Sequence, residues 1–142
     1  MILLDTSVLS LVLRRRGRGQ PEPEVVEVVR RMIREDVPMA VPGIVLQEVL
    51  SGVRTEAQFV RLKHLLEAFP ILVAERHHHV GAARIANACR RKGLATSAVD
   101  CLVSALATER DASLFTVDED FFRMAPHCGL KLLGVDNLRD VE

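Results

Sequence analysis

Short apolar runs alternate with longer amphipathic segments along the chain. Five runs have the length of buried strands and end at polar or turn residues: 2–4, 39–41, 71–73, 113–117 and 130–133. Helical spacing of apolar residues covers 8–13, 24–35, 44–51, 56–68, 77–92, 98–108 and 118–124. Strands that alternate with helices predict a parallel sheet with helices on both faces. We therefore expect an α/β fold of three layers.

The length and composition indicate one self-sufficient domain, which we expect to span residues 1–142. Hydrophobic residues make up 49% of the chain, enough for a core without a disulfide or metal. The N-terminus meets a charge at Asp5, too early for a signal peptide, and the apolar runs are too short to span a membrane. Three cysteines without CxxC spacing indicate reduced thiols and a cytoplasmic location.

The charge balance excludes broad, charge-driven binding to nucleic acids. Lys and Arg number 19, as do Asp and Glu, so the net charge is zero. The chain has no Trp or Tyr and only five Phe, which argues against a surface on which bases stack. Any action on a nucleic acid must therefore depend on a local site.

Four carboxylates occupy comparable places in the predicted fold. Asp5 and Asp118 follow the first and fourth strands, Asp100 lies in the first turn of a helix, and Glu48 lies on the helix after the second strand. Ligands of open α/β sheets bind at the carboxyl ends of the strands. We therefore expect the four side chains to meet at one edge of the sheet.

Each carboxylate also has a purely structural explanation. Asp5 and Asp118 would make ordinary helix N-caps, Asp100 could answer Ser97 in a capping box, and Glu48 could face solvent. Asp100, however, stands in an apolar run, where a carboxylate is costly unless it is paired or bound to a metal.

We found no Lys or Arg in the neighbouring motifs that is placed to neutralise such a cluster. Two carboxylates about 4 Å apart repel by roughly 4 kcal/mol at an effective dielectric constant of about 20. The cluster therefore predicts a divalent cation, and oxygen ligands favour Mg²⁺ or Mn²⁺ over Zn²⁺. Carboxylate-held cations suit phosphodiester hydrolysis.

The motifs around these residues resemble those of PIN-domain ribonucleases, and of the small VapC-type toxins in particular, from end to end. They read Leu4-Asp5-Thr6-Ser7, Glu48-Val49-Leu50-Ser51-Gly52, Val99-Asp100-Cys101-Leu102-Val103 and Phe115-Thr116-Val117-Asp118-Glu119-Asp120-Phe121. The resemblance implies a Rossmann-like fold with a central parallel sheet and metal-dependent endonuclease activity on RNA. It also implies a homodimer that is inhibited by a VapB-type antitoxin.

Carried over residue by residue, the resemblance makes four acidic residues catalytic: Asp5, Glu48, Asp100 and Asp118. Asp5, Asp100 and Asp118 would hold the metal. Ser7 and Thr116 match supporting hydroxyls, Asp120 matches an auxiliary acid, and Thr6 needs only to start a helix. Ser104 stands where an alanine is common.

Other functions fit the pattern less well. A PIN-domain nuclease of RNA processing, without an antitoxin, stays open. A response-regulator phosphoacceptor needs paired acids after the first strand and a nearby lysine, but Asp5 has no acidic neighbour and Lys131 lies in a strand. A haloacid-dehalogenase-type phosphatase needs an aspartate where Ser7 stands, and a degenerate PIN scaffold would lack acids that are all present here.

Two basic segments have more than one interpretation. Residues 77–79 are consecutive histidines, whose directions diverge by about 100° on a helix, so we expect a solvated helix start and no shared metal. The arginine-rich loop over residues 14–18 could contact RNA, could bind an acidic antitoxin segment, or could simply be solvated.

Overall fold

A computed structural model describes residues 1–134 of the chain. Its five strands are β1 (Ile2–Leu4), β2 (Met39–Pro42), β3 (Ile71–Leu72), β4 (Ser113–Phe115) and β5 (Lys131–Leu133). All neighbouring strands are parallel, in the order β3-β2-β1-β4-β5. The α/β class and the parallel sheet are confirmed. The last eight residues of the expected domain, 135–142, lie outside the described part.

Seven helices connect and cover these strands in the described part of the chain. They are α1 (Thr6–Leu13), α2 (Glu24–Arg34), α3 (Gly43–Leu50), α4 (Glu56–Leu66), α5 (Arg76–Arg91), α6 (Ala98–Glu109) and α7 (Glu119–Cys128). None of them is both long and apolar enough to cross a membrane. Each lies close to its predicted range except α7.

The central strands are buried on both faces, which explains why they read as continuous apolar runs. Leu3, Leu4, Leu114 and Phe115 have no exposed surface. Burying a side chain of this kind contributes about 1.5–3 kcal/mol. The four residues therefore anchor β1 beside β4, and the segments that follow these two strands leave the sheet side by side.

Helix α7 is longer than the predicted segment, 118–124. The predicted segment ends two residues before Pro126, and a proline inside a helix removes a backbone hydrogen bond. The helix instead continues through Pro126 to Cys128 and ends at Gly129, whose φ of 70° is left-handed. Two of the residues beyond the predicted end, Ala125 and Cys128, pack against the core.

Strand β4 is shorter than the predicted range, 113–117. It ends at Phe115, because the next residue turns its hydroxyl into the network described below. The helix start after it is capped by Asp118, just as Asp5 caps α1 and Ser97 caps α6. The three caps place polar side chains at the same edge of the sheet.

Candidate active site

A cavity of about 250 Å³ opens at the carboxyl ends of β1 and β4. It is lined by Asp5, Thr6, Ser7, Val45, Glu48, Asp100, Val103, Asp118 and Phe121. All four acids that we expected to meet therefore lie on the walls of one cavity, although they come from separate elements. The hydroxyl residues Thr6 and Ser7 of α1 and apolar residues of α3, α6 and α7 supply the rest of the lining.

Asp5 is the most deeply buried of these acids, with 3% of its surface exposed. Its Oδ1 accepts a hydrogen bond from the backbone N–H of Ser7, and its Oδ2 accepts one from Thr116 Oγ1. Burial raises the pKa of Asp5, while the bonds from Thr116 and Ser7 act in the opposite direction. Asp5 is thus both an N-cap, as its structural explanation held, and a fixed wall of the cavity.

The two hydroxyls that we expected to support the site join into one network. Ser7 Oγ lies 3.3 Å from Thr116 Oγ1, and it accepts a bond of 3.1 Å from the backbone N–H of Val117. Thr116 Oγ1 also accepts a bond of 3.0 Å from the backbone N–H of Asp118. The start of α1 is therefore tied to the loop that carries Asp118.

Three aspartates form the tightest group of carboxylates. One oxygen from each of Asp100, Asp118 and Asp120 lies within 4.8 Å of the others. Asp118 also caps α7 by accepting a bond of 3.0 Å from the backbone N–H of Asp120. Asp120, expected to be auxiliary, thus belongs to the central group, whereas Asp5 lies on the wall beside it.

The environment of Asp100 disfavours its charged form. Burial is the main reason that the pKa of Asp100 is raised to about 6, and the nearby carboxylates of Asp118, Asp120 and Glu48 also raise it. A hydrogen bond with Ser97 acts in the opposite direction. Ser97 Oγ accepts a bond of 3.0 Å from the backbone N–H of Asp100, which is half of the capping box considered above. The cluster is therefore electrostatically incomplete without a cation.

Glu48 faces solvent on α3, as its structural explanation held, yet it also reaches the cavity. Thr6 Oγ1 donates a hydrogen bond of 2.9 Å to Glu48 Oε1. We had assigned Thr6 only a helix start, so its contact with the site was missed. No local pattern could have found it, because the two residues are 42 positions apart.

A basic residue stands beside the carboxylate group, at the auxiliary acid Asp120 and not at the four acids that we expected to be catalytic. Arg123 donates a bond of 2.8 Å to Asp120 Oδ1 and one of 3.2 Å to Glu119 Oε2. These partners precede it by three and four residues on α7, a spacing that could have been read from the sequence.

The prediction that residues 77–79 form a solvated helix start is wrong for His78. His78 is 3% exposed. Its Nδ1 accepts a bond of 2.8 Å from the backbone N–H of Glu75, and its Nε2 contacts one oxygen of Glu109. The other oxygen of Glu109 lies 2.7 Å from His77 Nε2.

This contact pattern argues against a metal at the histidines, although His77, His78 and Glu109 lie close enough to hold one. An accepting Nδ1 places the proton of the neutral His78 ring on Nε2, where it donates to Glu109. A metal on Nε2 would force that proton onto Nδ1, against the N–H of Glu75. The cluster instead ties the start of α5 to the end of α6.

The donors in the cavity fit a hard divalent cation. They are carboxylate oxygens: those of Asp100 and Asp118 lie within reach of one ion together with an oxygen of Asp120 beside the cavity, and Asp5 and Glu48 stand on the adjoining walls. Such a cation would offset the mutual repulsion of the acids.

Comparisons with known proteins agree with this geometry. The family model of the PIN domain matches residues 2–126. Ribonuclease VapC11 of Mycobacterium tuberculosis is 32% identical over 123 residues, which cover 85% of this chain and 89% of the relative.

Two solved structures share the fold. One chain comes from VapBC2 of Rickettsia felis bound to a DNA fragment from its promoter, with a TM-score of 0.76, 19% identity and coverage of 94% of this chain and 98% of that chain. Another comes from FitAcB of Neisseria gonorrhoeae, with a TM-score of 0.73, 24% identity and coverage of 94% and 96%. The chain therefore belongs to the PIN-domain family, as one of its VapC-type ribonucleases. Phosphoacceptor and phosphatase alternatives are thereby excluded.

Proposed function

We propose that this protein is a Mg²⁺- or Mn²⁺-dependent endoribonuclease and the toxin of a type II toxin–antitoxin pair. The observation that carries the proposal is the cavity in which Asp5, Asp100 and Asp118 meet, with a carboxylate oxygen of Asp120 within 4.8 Å of oxygens of the last two. We assign catalysis to Asp5, Glu48, Asp100 and Asp118, and metal ligation to the three aspartates of that set. Ser7 and Thr116 support them through their hydroxyls, and Asp120 supports them as an auxiliary acid whose carboxylate also attracts the metal.

The contacts of each acidic residue indicate its role in the proposed reaction. A bound divalent cation would polarise the scissile phosphate and favour ionisation of the attacking water. Asp5 keeps one orientation, because Ser7 and Thr116 hold both of its oxygens. Glu48 is exposed, and Thr6 holds its Oε1, so Oε2 can accept the proton of the water.

The test is a comparison of metal binding and cleavage in matched variants. Saturating Mg²⁺ or Mn²⁺ should raise the melting temperature, since a ligand at about 100 times its Kd stabilises by about 2.7 kcal/mol. Asp100→Asn should lose most of this gain. Single neutralisation of Asp5, Glu48, Asp100 or Asp118 should abolish cleavage of a labelled RNA while circular dichroism stays native.

Asp36→Asn is the control, because Asp36 is exposed and Asn tolerates its φ of 53°. It should behave as the wild type in both assays. An equal metal response in the wild type and Asp100→Asn would refute the site. If Asp118→Asn unfolds more easily in EDTA yet still cuts RNA, Asp118 is only an N-cap.

For the antitoxin we propose a groove of about 320 Å³ between α1, α3 and α4. Solved relatives include a toxin–antitoxin complex from Klebsiella pneumoniae. The groove combines apolar walls, Leu13 and Val49, with the cations Arg14, Arg15 and Arg61. It would suit an amphipathic, acidic tail of a VapB-type partner, whose own Arg or Lys would reach Asp5 and Asp100. Arg15→Glu should weaken binding of a VapB-type antitoxin encoded by the neighbouring gene, and it should leave RNA cleavage intact.

We propose a homodimer as the assembly. A second groove of about 390 Å³ is lined mainly by apolar residues, including Ile44, Ala83, Val99 and Leu102. Two copies joined through it would bury this surface. Light scattering should report a dimer for the wild type and a monomer for Val99→Lys; a Val99→Lys variant that stays dimeric would rule out this face.

The predictions of one domain over 1–142 and of a cytoplasmic location stand beside this proposal. The free cysteines, Cys89, Cys101 and Cys128, support the predicted cytoplasmic location. A PIN-domain nuclease of RNA processing is the alternative function, and it would lack an antitoxin reading frame beside its own.

A further inference from the structure

Arg123 lies where a surface ion pair meets the carboxylate cluster. Its guanidinium contacts Asp120 at 2.8 Å, and a carboxylate oxygen of Asp120 is within 4.8 Å of oxygens of Asp100 and Asp118. The same acid therefore belongs to an ion pair and to the group that fits a cation. The Arg123 side chain is 57% exposed, so it is not held in place by burial.

A divalent cation in the cluster and the guanidinium of Arg123 would bind the same carboxylate and repel each other. Exposed ion pairs are weak and easily exchanged, whereas a cation that binds several carboxylates together is not. The arrival of a metal at Asp120 therefore loosens Arg123.

Arg123 is also well placed to meet an anion. It extends from α7, whose start is capped at the cavity by Asp118, and it contacts Asp120, which lies close to Asp100 and Asp118. The cavity walls carry acids, so the phosphates of an incoming RNA meet repulsion unless a cation stands near the mouth. A guanidinium has a forked set of donors that matches phosphate oxygens.

We propose that Arg123 is an exchangeable counter-ion of the active site. It neutralises Asp120 in the metal-free protein, and it turns to the RNA backbone once a divalent cation occupies the cluster. This rests on the proposed metal-dependent ribonuclease function. Because phosphate contacts carry no sequence information, Arg123 governs substrate affinity and leaves the choice of cleavage sequence to other residues.

The simpler explanation is that Arg123 only stabilises the surface of α7 through its pairs with Glu119 and Asp120. That explanation predicts no change in metal affinity or RNA affinity when Arg123 is replaced. Arg34→Gln is the matched control, because Arg34 is 60% exposed and pairs with Glu27 at 2.9 Å on α2, outside the cavity lining.

The first measurement is a Mn²⁺ titration of the thermal stability, without RNA. Arg123→Gln should lower the apparent Kd for Mn²⁺ about two- to fivefold. The variant lacks the guanidinium that competes with the metal for Asp120, and the effect is small because an exposed ion pair is weak. Arg34→Gln should match the wild type. A weaker Mn²⁺ affinity in Arg123→Gln would mean that the arginine positions Asp120 for the metal, which would overturn the proposal.

The second measurement is cleavage kinetics in Mn²⁺ on a labelled, mixed-sequence, single-stranded RNA. Arg123→Gln should raise KM and leave kcat near the wild-type value. The slope of log kcat/KM against log salt should become shallower by about 0.7, the value for one phosphate contact on a single strand. Arg123→Lys should recover much of the KM.

Unchanged Mn²⁺ affinity and unchanged KM in Arg123→Gln would overturn this inference alone. A wild-type protein that responds neither to Mn²⁺ nor to RNA would overturn the proposed function, and this inference with it.

Discussion

Thr116 Oγ1 donates a hydrogen bond to Oδ2 of Asp5, although 111 positions separate the two residues. They meet because β1 and β4 are neighbouring parallel strands, in which Leu4 is paired with Phe115. The residues that follow this pair, Asp5 and Thr116, leave the sheet side by side. The register of one strand pair therefore determines the surroundings of the most buried acid in the cavity.

Replacing Thr116 with valine should destabilise the protein. The change keeps the shape of the side chain but removes the donor to a buried carboxylate, a loss of about 1–3 kcal/mol in the free energy of unfolding. Urea denaturation in EDTA measures it. Thr116→Ser retains the hydroxyl and should lose much less. Equal losses in the two variants would mean that the methyl group of Thr116, and not its hydroxyl, matters.

Asp100 should make the metal-free protein less stable as the pH rises. Its pKa is about 6 in the folded state against an ordinary 3.8, so the folded state binds more protons than the unfolded state between these values. The stability that protonated Asp100 contributes is therefore fully present below pH 3.8, and it is lost as the pH rises through about 6.

Urea denaturation in EDTA between about pH 4 and about pH 7 tests this prediction. The free energy of unfolding of the wild type should fall across that range relative to Asp100→Asn. Asp5 also has a raised pKa, but it is present in both proteins, so the difference between them isolates Asp100. Parallel curves for the two proteins would contradict the prediction.

Ser104→Ala should stabilise the protein. Ser104 lies on α6 with no exposed surface, and its Oγ is the one buried side-chain polar atom without a hydrogen-bond partner among residues 1–134. Removing an unsatisfied hydroxyl recovers roughly 1 kcal/mol. Thermal melting measures the gain, and cleavage should stay unchanged. A lower melting temperature would reveal a partner for the hydroxyl, such as an internal water.

Growth arrest should depend on the acidic cavity. The wild-type protein expressed alone should arrest its host, and co-expression of the neighbouring gene product should prevent this. Asp5→Ala should be harmless without the partner. Because Asp5 is buried and could affect folding, the exposed Glu48→Gln is the second variant, checked by circular dichroism. Full toxicity of both variants would show that the arrest does not come from this site.

Much of the fold could be predicted because the spacing of apolar residues indicates which faces of the helices and strands are buried. Continuous apolar runs such as 2–4 gave the central strands, and the acids that follow them gave the edge of the sheet. The wrong boundary at Pro126 has a simple cause. Proline propensity is local, whereas the packing of Ala125 and Cys128 against the core is tertiary.

The contacts within the site were harder to predict, because they join distant parts of the chain. The bond from Thr6 to Glu48 depends on how α1 packs against α3, and no local pattern reports it. His78 is buried, and its Nε2 contacts Glu109, which is 31 positions away in the sequence. The pair of Arg123 with Asp120 has a local signal, but the same spacing is common on exposed helices.

The order in which the site residues occur along the chain has a consequence for synthesis. Asp5, Glu48 and Asp100 leave the ribosome before β4 exists, and the group of three aspartates needs α7, near the end of the described residues. Until β4 is inserted beside β1, Asp5 also lacks its bond from Thr116. A nascent chain that stops before α7 therefore lacks the group of three aspartates, and the proposed active site can assemble only after α7 has been made.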